Sequence, residues 1–333
     1  MMNLKEYKAV AVIDSIEDRV MPQSLELLPF SMEAGNYDYS EILLILFGRD
    51  IKEEGSALSE KYGIDTAVIE SEQFFYPNPD LMMKALREVI SQCRPEILCF
   101  TNTIRNNSVA SGISILSGAT CITAVESIIP DDGAPSFHRS IYNGKLVERI
   151  KTDHQFRVFT VMPGAFQADA IQQGLNGSLT IIKFDADDVK YRPSTVSRDT
   201  EIGSKLEDAD VVISAGRGIG KPENLELVRS VARIFGNSAI GASRPVCDNK
   251  WLPYRHQVGV TGKTVSPKLY MALGISGSQQ HITGMKNSQC IVSVNRDPHA
   301  AIFSVSDYSI VEDIMEFLPV FLKKYHERSS GEN

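Results

Sequence analysis

Apolar runs of strand length recur along the chain and alternate with stretches of helical periodicity. Tyr7–Ile13, Glu41–Phe47, Thr66–Glu70 and Glu96–Thr101 read as strands. The second is apolar nearly throughout, as a parallel strand covered on both faces should be. Between them the pattern predicts a short helix at Leu25–Met32 stopped by Gly35-Asn36, and a polar helix around Ile51–Tyr62. It also predicts an amphipathic helix at Pro79–Cys93, where Leu81, Ala85, Leu86, Val89 and Ile90 share one face and Pro95 ends the run. Strands alternating with helices predict an open parallel sheet.

After the strand ending at Thr101, Asn102 to Ser108 form a polar loop, and a helix rich in small residues follows to Ser117. Open α/β sheets bind ligands at the carboxyl ends of strands. The loop therefore reads either as a ligand or subunit contact or as an ordinary loop with a helix cap. Cys121–Ile128, Tyr142–Ile150, Phe156–Met162 and Leu179–Phe184 look like further strands, with turns at Asp131-Asp132-Gly133 and at Asn143-Gly144, a two-residue hairpin signal. From about residue 185 to 207 the chain is charged and lacks apolar periodicity, which predicts an interdomain linker and a boundary near residue 203.

The second half repeats the alternation. Strands are expected at Asp210–Ala215, Ser238–Ala242, Leu269–Leu273 and Gln289–Asn295, with a helix from about Pro222 to Phe235 and a last one over Val311–Tyr325. Polar residues stand just beyond these strands: Gly216-Arg217-Gly218, Ser243-Arg244, Ser276 to His281, and Asn295. In a parallel sheet all of these ends lie along one edge, which implies one elongated site suited to a dinucleotide. Residues 257–285 are its centre, with two Gly/Ser/Thr-rich turns flanking Leu269–Leu273. Such turns let backbone N–H groups approach a phosphate or a polar ring, because glycine has no Cβ to block the approach. The spacing Gly216-x-Gly218-x-Gly220 is not the dinucleotide fingerprint. The fold class expected is α/β with two domains, residues 1–203 and 204–333, each a mainly parallel sheet flanked by helices and the second Rossmann-like.

Composition narrows the function. With 43% hydrophobic and 23% charged residues the 333-residue chain is that of a globular protein, and its net charge of −8 argues against nonspecific nucleic-acid binding. No run approaches the length of a membrane span, and Met1 to Tyr7 do not resemble a secretory leader. Five scattered cysteines without a Cys-x-x-Cys pair give no basis for a metal or iron–sulfur site, and fit a reducing cytoplasm.

Gly216-Arg217-Gly218, Ser243-Arg244-Pro245, the run from Gln257 to Lys263, Gly274-Ile275-Ser276-Gly277, Gln280-His281, Gly284-Met285, Asn295-x-Asp297 and Asp307-Tyr308 occur in an order that resembles electron transfer flavoprotein alpha subunits. The likeness covers about residues 205–325, and Met162 to Phe166 resembles a segment late in that family's first domain. It implies FAD in the second domain and a heterodimer with a beta subunit that contacts the nucleotide-binding-like first domain. It also implies electron transfer between an acyl-CoA dehydrogenase or reductase and another carrier. Carried over position by position, the expected FAD-binding residues are Arg217, Ser243, Arg244, Gln257, Val258, Gly259, Val260, Thr261, Gly262, Ser276, Gly277, Ser278, Gln279, Gln280, His281, Asn295 and Asp313. Of these, Arg244, Thr261 and His281 resemble the groups that tune the flavin: an arginine over the ring, a hydroxyl near N5, and a donor at the C2 carbonyl, where reduction places negative charge.

Two departures stand out. Val260 occupies a position where many members have glutamine, and Ser278-Gln279 stands where a small apolar pair is common. Three alternatives remain at this level. In one, the beta subunit holds a second FAD, oxidises NADH, and splits electrons between ferredoxin and an enoyl-CoA-type acceptor, making the chain part of an NADH-dependent acyl-CoA reductase complex. The second is a nucleotide-binding structural module without redox activity. The third is a stand-alone flavin reductase, for which no second glycine fingerprint is visible.

Overall fold

The computed structural model describes residues 4–76, 78–130, 135–142, 144–167, 177–186 and 206–330. Contacts divide the chain into one unit of residues 1–141 and 145–198 and a second of residues 142–144 and 199–333. The boundary expected near residue 203 and most of the predicted linker lie outside the described residues, as does the turn at Asp131-Asp132-Gly133. Asp185 and Ala186, read as linker, belong to the first unit: Ser71 Oγ donates to the Asp185 carboxylate (2.6 Å) and Gln73 Nε2 to the Ala186 carbonyl (3.2 Å).

In the first unit the chain lays down β1 (Ala9–Ile13), α1 (Leu27–Gly35), β2 (Ile42–Gly48), α2 (Lys52–Tyr62), β3 (Asp65–Glu70), α3 (Pro79–Cys93), β4 (Ile97–Thr101), α4 (Ile104–Ser117) and β5 (Thr120–Val125). Three strands of an antiparallel sheet follow, β6 (Ser127–Ile129), β7 (Ser136–Ile141) and β8 (Leu146–Ile150), and then β9 (Arg157–Val161) and β10 (Leu179–Lys183). The main sheet runs β10-β3-β2-β1-β4-β9-β5, all parallel. Every residue of β1, β2 and β4 is buried, which is why those segments are apolar without alternation. α3 follows its sequence signals closely: Asn78 accepts from the Leu81 N–H at its start, Pro79 takes the first turn, and Arg94 closes it in the left-handed region.

Two expectations fail here. Cys121–Ile128 is not one strand. Ala124 takes φ 57° and the pairing with β9 slips, so β5 ends and β6 joins the antiparallel sheet. Tyr142–Ile150 is not one strand either, and the Asn143-Gly144 hairpin is longer than two residues. Ile141 pairs with Leu146, so four residues make the connection, and β7, unforeseen because its residues are mostly polar, is the partner strand.

The strand order reverses between β1 and β4, the point at which open sheets bind nucleotides. Here the point is filled from within. Asn106, fully buried, donates to both Asp14 oxygens (3.0 and 2.9 Å) and to the Thr101 carbonyl (3.0 Å), and Arg105 pairs with the same carboxylate. Ile13, Phe47, Phe74 and Met82 help to line a cavity of about 10 Å³ beside them, room for a single water. Asn102 and Thr103 also turn inward, Asn102 bonding Thr160 Oγ1 (2.9 Å) and Thr103 capping α4. The polar loop is thus a structural tie at this sheet edge.

Glu26 supplies a pH-dependent contact in the same unit. Its carboxylate accepts the N–H groups of Gly164 and Phe166 in the Met162–Phe166 segment, but burial outweighs these bonds and raises its pKa to about 7. The folded state therefore holds a proton that the unfolded chain gives up near the ordinary carboxylate range. Stability from Glu26 is complete below about pH 4.5 and declines as pH rises through 7, by up to about 3 kcal/mol. Glu26→Gln should flatten this decline in thermal melts between pH 5 and 8; a variant with the wild-type slope would assign the proton elsewhere.

Candidate functional site

The second unit forms β11 (Val211–Ala215), α5 (Leu225–Ala232), β12 (Ser238–Ala242), α6 (Arg244–Asp248), β13 (Leu269–Leu273), α7 (Gln279–Thr283), β14 (Ile291–Asn295), β15 (Tyr308–Val311) and α8 (Ile314–Ser330). The sheet runs β12-β11-β13-β14-β15, entirely parallel. Its order reverses between β11 and β13, and the loops beyond these two strands are the glycine-rich turns. Two element predictions need correction. The helix after Gly216 starts only at Leu225, beyond two 3₁₀ turns that contain Arg217–Ile219 and Pro222–Asn224, so its N-terminus does not cap the glycine turn directly. The last helix starts at Ile314 rather than Val311, because Tyr308–Val311 pairs with β14 as an edge strand.

The two turns are locked together by backbone. The Gly216 N–H donates to the Leu273 carbonyl (2.7 Å), and the Gly218 N–H to the Gly274 carbonyl (3.0 Å). A Cβ on Gly216 would stand 2.1 Å from that Gly274 oxygen, so a side chain there is excluded. Asn295, at the end of β14, donates from Nδ2 to the Ile275 carbonyl (2.9 Å) and ties the third strand end to the same turn. On the other side, the Ser243 N–H donates to the Ala215 carbonyl (2.9 Å). The turn at 258–263 reaches α7 through the Val260 N–H, which donates to the Gln280 carbonyl (2.9 Å). The structure therefore brings most of the predicted residues to one sheet edge.

Their exposure sorts them by role. Gln257, Val258, Gly259, Ser243, Gly277 and His281 are buried and shape the edge. Arg217, Val260, Thr261, Gly262, Ser276, Ser278 and Gln280 are exposed on it. Gln257 Nε2 donates to Thr261 Oγ1 (2.8 Å), which leaves the threonine hydrogen free to donate outward. Arg217 has no ion pair among the described residues. The N–H groups of Ser276, Gly277 and Ser278 likewise have no partner among them.

Three predicted residues serve the protein itself. Arg244 opens α6 and pairs with Asp248 (3.4 Å) in an exposed ion pair of little energetic weight. Asp313 Oδ1 accepts the Met315 N–H at the start of α8. Asn295 uses both ends of its amide, since Oδ1 accepts the Asp297 N–H (3.0 Å).

His281 is the centre of the buried set. Burial lowers its pKa to about 4, with the Val258 carbonyl pulling weakly the other way, so the ring is neutral. Its Nε2 meets the Tyr270 hydroxyl at 2.9 Å, and its Nδ1, fully shielded, makes no hydrogen bond of good geometry among the described residues, the Val258 carbonyl lying near the ring without meeting that geometry. A buried polar nitrogen left unpaired is costly unless a ligand completes it. The exposed hydroxyl, the unpaired N–H groups and this nitrogen suit a ligand with phosphate charge at one end and a ring bearing carbonyl acceptors at the other. FAD has both, so the residues present fit it. Sequence reading missed Tyr270. Its signal was a phenol inside the otherwise apolar run Leu269–Leu273, since a hydroxyl on a fully buried strand needs a partner.

Comparison with known proteins supports the same cofactor at the level of the domain. The electron transfer flavoprotein domain matches residues 10–189, and the electron transfer flavoprotein FAD-binding domain matches residues 205–286. The electron transfer flavoprotein subunit alpha of Thermoanaerobacterium thermosaccharolyticum is 30% identical over 96% of this chain and 98% of its own. That of Bacillus subtilis is 31% identical over 86% and 88%. The acryloyl-CoA reductase electron transfer subunit beta of Anaerotignum propionicum is 29% identical over 93% of each chain.

Proposed function

Because the chain belongs to the electron transfer flavoprotein alpha-subunit family, whose second domain binds FAD, we propose that it works as half of a heterodimer with a beta subunit. In that complex it carries electrons between an acyl-CoA dehydrogenase or reductase and a second redox partner. The observation that carries the reading is the polar edge of the second unit, centred on the order reversal between β11 and β13, with His281 Nδ1 buried and unpaired behind it.

FAD, when bound, supplies the acceptance and release of one or two electrons. The protein's part is to hold it and to set its potential. Arg217 and the unpaired N–H groups of Ser276 to Ser278 offer positive charge and donors to the pyrophosphate. Thr261, with its oxygen held by Gln257, presents a hydroxyl donor to the ring. His281 presents a donor to the C2 carbonyl, where reduction accumulates negative charge. Val260, exposed and without a side-chain donor, leaves one side of the ring less polar than a glutamine would. Arg244 has only a weak exposed tie to Asp248, which little opposes its leaving for the ring. Ser243, Val258, Gly259, Gly262, Gly277, Gln279, Gln280, Asn295 and Asp313 complete the proposed contacts through backbone or by fixing the turns.

A reductase partner gains support from the Anaerotignum relative, whose name places it with an acryloyl-CoA reductase. A beta subunit holding a second FAD, fed by NADH and yielding electrons to ferredoxin, is the extended form of the same reading. Arg217→Ala, co-expressed with the beta subunit, should lose FAD on gel filtration, with affinity down about tenfold or more for one charged contact to phosphate. Undiminished flavin retention would remove Arg217 from the site.

A further inference from the structure

The Tyr270–His281 contact bears on the chemistry of the site beyond the binding of FAD. Tyr270 sits in the middle of β13 with no exposed surface, and its hydroxyl faces His281 Nε2 at 2.9 Å. Ser214, on the adjacent strand, has a buried Oγ near enough to pull the phenol's pKa slightly down, but it makes no hydrogen bond of good geometry among the described residues. Among the described residues Nε2 is therefore the one acceptor that meets the phenol in hydrogen-bond geometry, and burial, outweighing the nearby Ser214, holds the phenol protonated by raising its pKa. An Nε2 that accepts carries no hydrogen of its own, so a neutral ring must carry its hydrogen on Nδ1. That is the nitrogen left buried and unpaired.

We propose that Tyr270 is a positioning residue that fixes His281 in its Nδ1–H tautomer, so that the site offers one oriented, uncharged donor and no bare nitrogen lone pair. The opposite tautomer would turn a lone pair toward the flavin carbonyl and repel it. An imidazolium would donate from both nitrogens and leave the phenol proton without its acceptor. Burial disfavours that charged form, and the ring stays neutral. The identity of the acceptor rests on the proposed FAD site. The tautomer belongs to the chain alone.

The test is ¹⁵N NMR on the histidine-labelled heterodimer, with FAD bound and after its removal. The chain has six histidines, and His281 is assigned by its absence in His281→Gln. The expected spectrum shows Nδ1 protonated and Nε2 bare in both states. Tyr270→Phe, which removes a single oxygen and keeps the packing, should let His281 divide between tautomers in the flavin-free protein. It should also lower the midpoint potential of the bound flavin and speed FAD loss about threefold to tenfold, the range for one buried hydrogen bond. Wild-type protein with Nε2 protonated overturns the proposal. So does a Tyr270→Phe variant with unchanged tautomer and potential. A folded heterodimer that binds no FAD would instead overturn the functional reading, while the flavin-free spectrum still decides the tautomer.

Discussion

Gly277→Ala should unfold the second unit under conditions where the wild-type chain is intact, and strip it of FAD. Gly277 has φ +83°, a region in which a side chain costs about 1–2 kcal/mol. Space is the larger obstacle. A Cβ would lie 2.1 Å from the Ile302 nitrogen, 2.5 Å from its Cα and 2.7 Å from the Ala301 carbonyl carbon, all backbone. That nitrogen donates to the Ser276 carbonyl (3.1 Å), so making room breaks the bond that seats the turn. Strain, overlap and the lost bond together amount to about 4 kcal/mol or more. Gly220 is the control. It has almost the same φ, +84°, but a Cβ there would meet only Asn224 Nδ2, at 3.9 Å. Gly220→Ala should therefore cost only the strain, about 1–2 kcal/mol. Urea unfolding followed by circular dichroism separates the two; equal midpoints would refute the close approach at Gly277.

Arg105→Met should be the most damaging single change at the edge of the first sheet. It leaves the Asp14 carboxylate, 4% exposed, with Asn106 but without its counter-charge. Breaking a buried ion pair from one side costs about 3–5 kcal/mol, because the remaining charge is desolvated without compensation. The double change Arg105→Met with Asp14→Asn removes both charges and should recover most of that loss. Thermal unfolding of the three variants measures it. A double variant no better than Arg105→Met would show that the site depends on shape, not on charge balance.

How far the residues foretold this follows from which forces act locally. Strands buried on both faces, such as Ile42–Gly48, announce themselves as apolar runs, and Pro79–Cys93 carries its own cap, face and stop. The antiparallel sheet was harder. Ser136–Ile141 reads Ser-Phe-His-Arg-Ser-Ile, and cross-strand pairing supports it where composition does not: Arg139 Nε donates to Glu148 (2.6 Å) across the hairpin. Tyr308–Val311 was hidden for a related reason, since an edge strand with three exposed residues in four has no hydrophobic signature.

The candidate site was legible through its glycines and its strand ends, because both are local and chemically distinctive. Strand order was not legible. Adjacency of the turns after Ala215 and Leu273 depends on β11 and β13 being neighbours, and no short-range pattern encodes that. Nor was the division of labour at the edge. Asn295 and Asp313 look like ligand contacts in sequence but spend their side-chain oxygens on backbone N–H groups. Tyr270, hidden in an apolar strand, orients the residue that looked most functional.

The central claim is that the edge between β11 and β13 holds the flavin. The measurement that tests it most directly is a crystal structure of the co-expressed, yellow heterodimer, read for the position of FAD. The account predicts isoalloxazine density against the turn at Val260-Thr261 and the run from Ser276 to His281, with the His281 ring facing the C2 carbonyl. Flavin density confined to the beta subunit, with this edge bare, would contradict it.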